Sequence, residues 1–134
     1  MSVQVRLRVA GEAYAVPIEE VLEVVTLGEV TAVPGARAEL LGVLNLRGHV
    51  LAVADLASVL GLRRTARPAR MLVAQSGGQQ AGLVVDEVSE VGELGEPTQA
   101  TESAMLAGAT LAGGELIGFV RLDRVFAELL AGPS

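Results

Sequence analysis

Cysteine is absent from the 134 residues, so disulfides, thiolate metal centres and thiol nucleophiles are excluded. Aromatic residues make up only 2% of the chain. Tyr14, Phe119 and Phe126 are too few and too scattered to stack a run of bases. Basic charge is scarce too: 10 Lys and Arg stand against 16 Asp and Glu, a formal net charge of -6. That balance argues against nucleic acid and against anionic membranes, both of which need clustered cations. The one basic cluster, Arg63, Arg64, Arg67 and Arg70, reads as a solvated loop. Histidine occurs once, at His49, which excludes a metal site of several imidazoles. No apolar run approaches the roughly 20 residues needed to span a bilayer. The alternating start MSVQVRLRV lacks the apolar region of a signal peptide. A soluble cytoplasmic protein with no cofactor is expected.

What is abundant is aliphatic. The chain is 51% hydrophobic, and a core built from Val, Leu and Ala favours strands. Its length is that of one ordinary domain, or of two small halves that share a core.

Val3, Val5, Leu7 and Val9 alternate with polar residues, the period of a half-buried strand. Ala10-Gly11 turns it back into a second strand over residues 12–16, which Pro17 ends. Residues 18–25 fit either a helix, with Glu19, Glu20 and Glu23 facing water, or a bent strand. Residues 24–33 return to β-type composition before the Pro34-Gly35 turn, and residues 36–41 are expected to make one helical turn. Two strands, 42–46 and 49–54, then meet at Arg47-Gly48, and Asp55 is placed to cap a short helix that Gly61 stops. Residues 62–69 look like a connection between halves. Further strands are predicted at 71–74, 79–85, 88–94, 110–112 and 115–120, with a loop over 95–103 and a turn of helix at 104–107. A helix over 121–131 closes the chain, its apolar face formed by Leu122, Val125, Phe126, Leu129 and Leu130.

The sequence matches itself at an offset of about 66 residues. EEVLEVVTLGE from Glu19 aligns with DEVSEVGELGE from Asp86, and Gly48, Leu56 and Val59 align with Gly114, Leu122 and Val125. A duplicated unit of short strands and tight turns suggests two small β-barrels related by a pseudo-two-fold axis, with a groove between them as the natural place for a partner. The alignment also isolates what the second half lacks, since Asn45, Arg47 and His49 meet Leu111, Gly113 and Glu115.

Catalysis finds little footing, because the single His49 sits beside a turn with no nucleophile nearby in sequence. Gly77-Gly78 and Gly113-Gly114 precede strands, so they are hairpin turns and not phosphate loops. Asn45 either satisfies backbone groups at the turn or meets a partner, and Asp55 either caps a helix or does the same. Arg47 is suited to pair with a carboxylate within the fold or on another protein.

The run GVLNLRGHVLAVADLASVLGL, residues 42–62, closely resembles the signature of the CheW-like domain family, and the likeness extends through AGLVVDEVSEV to the last hairpin and helix. Asn45, Leu46, Arg47, Gly48, Asp55 and Leu56 fit the motif position by position, while Ala52 stands where the family usually has proline. The resemblance implies one CheW-like domain over residues 1–134, built as two intertwined five-stranded SH3-like barrels with short helices. It also implies a non-enzymatic adaptor, which couples the cytoplasmic tip of methyl-accepting chemotaxis receptors to the regulatory domain of the histidine kinase CheA. Asn45, Leu46, Arg47, Gly48 and Asp55 would then be partner-binding residues. With no receiver or kinase domain in the chain, a stand-alone adaptor at receptor arrays is favoured over a larger scaffold. Two other readings remain open: a self-assembling module of receptor arrays acting without the kinase, and a carrier of a small apolar ligand in the groove.

Overall fold

A computed structural model describes residues 1–64 and 67–130. The described residues run through ten strands: β1 (Ser2–Val9), β2 (Glu12–Pro17), β3 (Val21–Thr26), β4 (Leu40–Leu46), β5 (His49–Asp55), β6 (Arg70–Ser76), β7 (Gln79–Val85), β8 (Glu87–Leu94), β9 (Leu106–Ala112) and β10 (Glu115–Val120). Two helices accompany them, α1 (Leu56–Val59) and α2 (Leu122–Leu130). The ambiguous segment after Pro17 divides between both readings, a single 3-10 turn at Ile18–Glu20 followed by β3.

Four hairpins set the local structure, and each turns on two consecutive residues with positive φ: Ala10-Gly11, Arg47-Gly48, Gly77-Gly78 and Gly113-Gly114. That geometry matches the right-handed twist of paired strands and favours glycine at both positions. Ala10 and Arg47 are the two non-glycine residues that adopt it among the described residues.

Three expectations are corrected. Residues 36–41 make no helical turn; Leu40 N–H donates to Arg37 O at 3.1 Å, and β4 begins there. Residues 104–107 likewise form a turn that leads straight into β9, with Leu106 N–H on Ser103 O at 3.2 Å. In both places the apolar residues that looked helical are the first inward positions of a strand, where sheet packing overrides local propensity. The β-type run over 24–33 ends as a strand at Thr26; beyond it Thr31 alone pairs, as an isolated bridge to Val43. Of the predicted connection at 62–69, Thr65 and Ala66 lie outside the described residues, as does Ala131 of the closing helix.

The strands form two five-stranded sheets, ordered β8-β1-β2-β10-β9 and β3-β6-β7-β5-β4. Neither sheet belongs to one half of the chain. The β1-β2 hairpin is flanked by β8 and β10 from the second half, while β6-β7 is flanked by β3 and β5 from the first. The β2–β10 and β5–β7 contacts are parallel, and every other pairing within the sheets is antiparallel.

Burial follows the strand period. Val5, Leu7 and Val9 of β1 point to the space between the sheets, where they meet Leu72, Leu83, Val85, Val120, Leu122, Val125 and Phe126 in the largest apolar cluster. Alternate residues build two smaller clusters, one around Leu44, Leu51, Val53, Met71, Val73 and Val84, the other around Ala15, Leu94, Ile117 and Phe119. Each fully buried Leu or Val contributes about 1.5–3 kcal/mol, so most of the stabilising burial lies between the sheets.

Candidate functional site

The β4-β5 hairpin presents Asn45, Leu46, Arg47 and Gly48 together at one end of the second sheet. Asn45 turns inward on its own backbone: its Oδ1 accepts from Gly48 N–H at 2.9 Å and fixes the turn. Leu46 packs on the apolar cluster beneath, anchoring the tip. Arg47 is held at φ 50°, a left-handed conformation that costs most L-residues energy. Its side chain is 65% exposed and pairs through Nη2 with both oxygens of Glu23.

Glu23 lies on β3, at the opposite edge of the same sheet order from β4, so this pair ties the two edges across the sheet's curl. The Arg47 guanidinium, by hydrogen bond and charge, holds the Glu23 carboxyl below its ordinary value, and the Glu23 carboxylate in turn raises that of Arg47. Glu23 is the partner of Arg47, which the helical reading of residues 18–25 turns toward water. Its match to Glu90 in the repeat marks the position but not its partner.

The strands that carry this ion pair also hold exposed apolar residues that the sequence reading missed. Leu22 and Val24 flank Glu23 on β3, and Val50, 69% exposed, sits directly opposite Asn45 across the hairpin. An exposed guanidinium on a hairpin tip suits a protein surface that presents a carboxylate.

Asp55 lies at the far end of β5, roughly 20 Å from the tip at the usual strand rise. It is buried, and all of its polar contacts are internal: Oδ1 accepts from Ala57 N–H at 3.2 Å, while Oδ2 accepts from Ser58 Oγ at 2.9 Å and pairs with Arg64 at 2.5 Å. The structure therefore brings four of the five candidate residues together and sets Asp55 apart as the cap of α1. Among the described residues no group of His, Asp and Glu is close enough to hold a metal ion, and no helix is long and apolar enough to cross a membrane.

At the equivalent end of the first sheet, the β9-β10 hairpin carries Leu111 and Leu116 as a directly opposed pair, 62% and 50% exposed, with Val91 exposed on edge strand β8 of the same sheet. By the repeat these match Asn45, Val50 and Val24. Ionic pairs are present here too, Arg6 with Glu90 at 2.6 Å and Arg8 with Glu115 at 2.5 Å, but both arginines come from β1 and not from the tip.

This residue set, on this topology, can be compared with known proteins. The family model described as the CheW-like domain matches residues 4–130. The chain belongs to the CheW-like domain family. Among curated CheW-like relatives, the probable chemotaxis protein CheW of Rhizobium etli is 32% identical over 134 residues, covering 92% of this chain and 86% of its own. The chemotaxis protein CheW of Rhizobium meliloti is 33% identical over 132 residues, covering 91% and 85%. Among solved structures, the scaffolding protein TtCheW of Thermoanaerobacter tengcongensis superposes with a TM-score of 0.84 at 29% identity, covering 93% of this chain and 87% of that one. The CheW-like fold accounts for the two five-stranded sheets and the C-terminal helix.

Proposed function

We propose that the protein is a non-enzymatic adaptor of chemotaxis-type signalling, which couples the cytoplasmic tips of methyl-accepting receptors to the regulatory domain of the histidine kinase CheA. Family membership supports the scaffold role, and the names of the relatives support the pathway. One observation carries the assignment of a contact surface. Arg47 keeps an exposed guanidinium at a left-handed turn position where the other half of the chain has glycine, Gly113. Retaining a strained, charged residue where glycine would relax the turn points to a use outside the fold.

In this reading Arg47 and the exposed Val24 and Val50 meet one partner, with Asn45, Leu46 and Gly48 holding the tip in shape. Asp55 serves the same surface indirectly, by fixing the end of β5. The Leu111–Leu116 pair and Val91 supply a second, apolar surface on the other sheet, suited to strand-on-strand packing with a like barrel of the kinase. The sequence repeat is read as a duplicated unit whose two hairpin tips have diverged, one polar and one apolar. The protein acts in the cytoplasm, held at receptor arrays by its partners.

Pull-down and calorimetry with the kinase regulatory domain and with a receptor-tip fragment test this. Wild type binds both; Arg47→Glu and Leu116→Asp each weaken binding of one partner at least tenfold. Failure of the wild type to bind any cognate kinase or receptor tip overturns the reading. The exposed Leu111–Leu116 pair also fits association of the chain with itself, the array-module reading. Sedimentation that shows concentration-dependent assembly without kinase binding would favour that alternative.

A further inference from the structure

The two sheets correspond strand for strand, β8-β1-β2-β10-β9 with β3-β6-β7-β5-β4, and each holds one parallel contact, β2 with β10 and β7 with β5. Residues at that contact match when counted from the hairpin turns. Tyr14 and Ala81 each stand third after a turn glycine, Gly11 or Gly78. Gly118 and Ala52 each stand fourth after Gly114 or Gly48, and Leu106 and Leu40 stand eight before those same two glycines. One sheet therefore has a phenol ring where the other has a methyl group.

In the first sheet that ring is packed in place. Tyr14 is in register with Gly118 and is only 8% exposed. A Cβ at Gly118 would lie 3.0 Å from Tyr14 Cδ1 and 3.2 Å from Leu106 Cδ1, so the ring covers the glycine and meets the leucine there. In the second sheet the three matching residues, Leu40, Ala52 and Ala81, line a cavity of about 350 Å³ together with Phe126, Leu129 and Leu130 of α2. The wall is completed by two exposed carboxamides, Gln79 and Gln80, and carries no charged residue among the described residues. Ala52 has a methyl group that Gly118 lacks, so a ring held here sits farther from the sheet than Tyr14 does.

An ion finds no counter-charge on such a wall. An aromatic ring gains by leaving water, and it can pair with the ring of Phe126. A short neutral arm suits the carboxamides, which both donate and accept. β5 and β7 are inner strands whose main chain is already paired, so the backbone of a docking chain has no free strand edge there to join. We propose that this cavity binds a free aromatic molecule, a single six-membered ring with a short uncharged polar arm, in the place that Tyr14 fills in the first sheet. Its volume is at the lower end of small-molecule sites. The cavity shares no residue with the Arg47 tip or with the Leu111–Leu116 surface, and so the proposal stands apart from the adaptor reading.

Titration of the full chain with 2-phenylethanol, followed by amide proton–nitrogen NMR, tests it. Saturable shifts at Ala52, Ala81 and Leu129 are expected, with a dissociation constant on the order of 1 mM for so small a ligand. 2-Cyclohexylethanol, equal in carbon count but without the aromatic face, binds about fivefold more weakly. Ala81→Tyr supplies the ring from the chain itself, as the first sheet does, and weakens binding at least tenfold in a folded protein. Should that variant fail to fold, Leu130→Ser, at a wall position that is 59% exposed, keeps the fold and weakens binding about threefold. No saturable shift, equal affinity for the two alcohols, or unchanged affinity in the folded variant overturns the proposal. Tighter binding of N-acetyl-tyrosine-N-methylamide than of 2-phenylethanol would give the cavity to a partner's side chain and overturn it as well.

Discussion

Arg47 joins two opposing demands at one residue. Its backbone sits where glycine is at ease, and its side chain supplies the charge at the tip. A left-handed L-residue costs about 1–2 kcal/mol in general, whereas an exposed ion pair is screened by water and salt and returns little. The backbone therefore dominates stability. Arg47→Gly is expected to raise the thermal midpoint by a few degrees even though it removes the ion pair, while Arg47→Ala keeps the strained turn and gains nothing. Differential scanning calorimetry of the two variants separates the effects, and an Arg47→Gly protein less stable than Arg47→Ala would contradict this account. The Glu23 carboxyl provides a second check. Its value is lowered in the folded state, so its stabilising contribution is complete above the ordinary glutamate range near ~4.3 and fades as pH falls through the lower folded value. Carboxyl-carbon NMR should place the wild-type Glu23 midpoint below the ordinary range, and Arg47→Gln should return it there.

At the scale of elements, glycine made the hairpins legible and long-range pairing hid the rest. Gly-Gly and Arg-Gly dipeptides between β-type runs announce two-residue turns, and Asp55 before Leu56 announces a cap; both are local chemistry and could be read directly. Glu23 could not, because its partner lies 24 residues away on the far edge of the sheet. The false helical turns at 36–41 and 104–107 share a further feature beside the sheet packing that overrides them. Each precedes a strand whose glycine, Gly42 or Gly108, lets the chain pass close against the loop before it. A Cβ on Gly42 would lie 2.1 Å from Thr31 O, and one on Gly108 would lie 2.8 Å from Gln99 O. Both glycines also have positive φ, 149° and 132°. Backbone cannot yield as a side-chain tip can, so Gly42→Ala should cost about 3 kcal/mol or more and Gly108→Ala somewhat less, by urea denaturation. Asp55→Ala is expected to lose about 2 kcal/mol by the same measurement, since it removes the α1 cap and leaves Arg64 without the carboxylate it pairs with. If Asp55→Ala proved neutral in stability yet abolished partner binding, the indirect role given to Asp55 would be wrong.

For the whole molecule, the decisive property is that sheet membership and chain halves do not coincide. The repeat suggests two barrels in sequence, one per half, but β1-β2 completes a sheet with β8, β9 and β10, while β6-β7 completes the other with β3, β4 and β5. Composition and periodicity carry no information about which hairpin joins which sheet, and so the exchange was illegible in residue patterns alone. It has an energetic consequence. The largest apolar cluster draws Val5, Leu7 and Val9 from the first half and Leu72, Leu83, Val125 and Phe126 from the second, so neither half can bury its own apolar face. Two tips on different sheets are thereby held in one rigid unit, which an adaptor needs if it is to set the spacing of two partners. Cutting the chain within residues 65–66 tests this. Fragments 1–65 and 66–134 should each be largely unfolded by circular dichroism and show no cooperative thermal transition. Mixed at equal concentration, they should recover the β-sheet spectrum and a single transition whose midpoint rises with concentration, as mass action requires for a two-part native state. A fragment that folded cooperatively alone would show that one sheet can be completed without the exchanged hairpin, and the rigid spacing of the two tips would then need another origin.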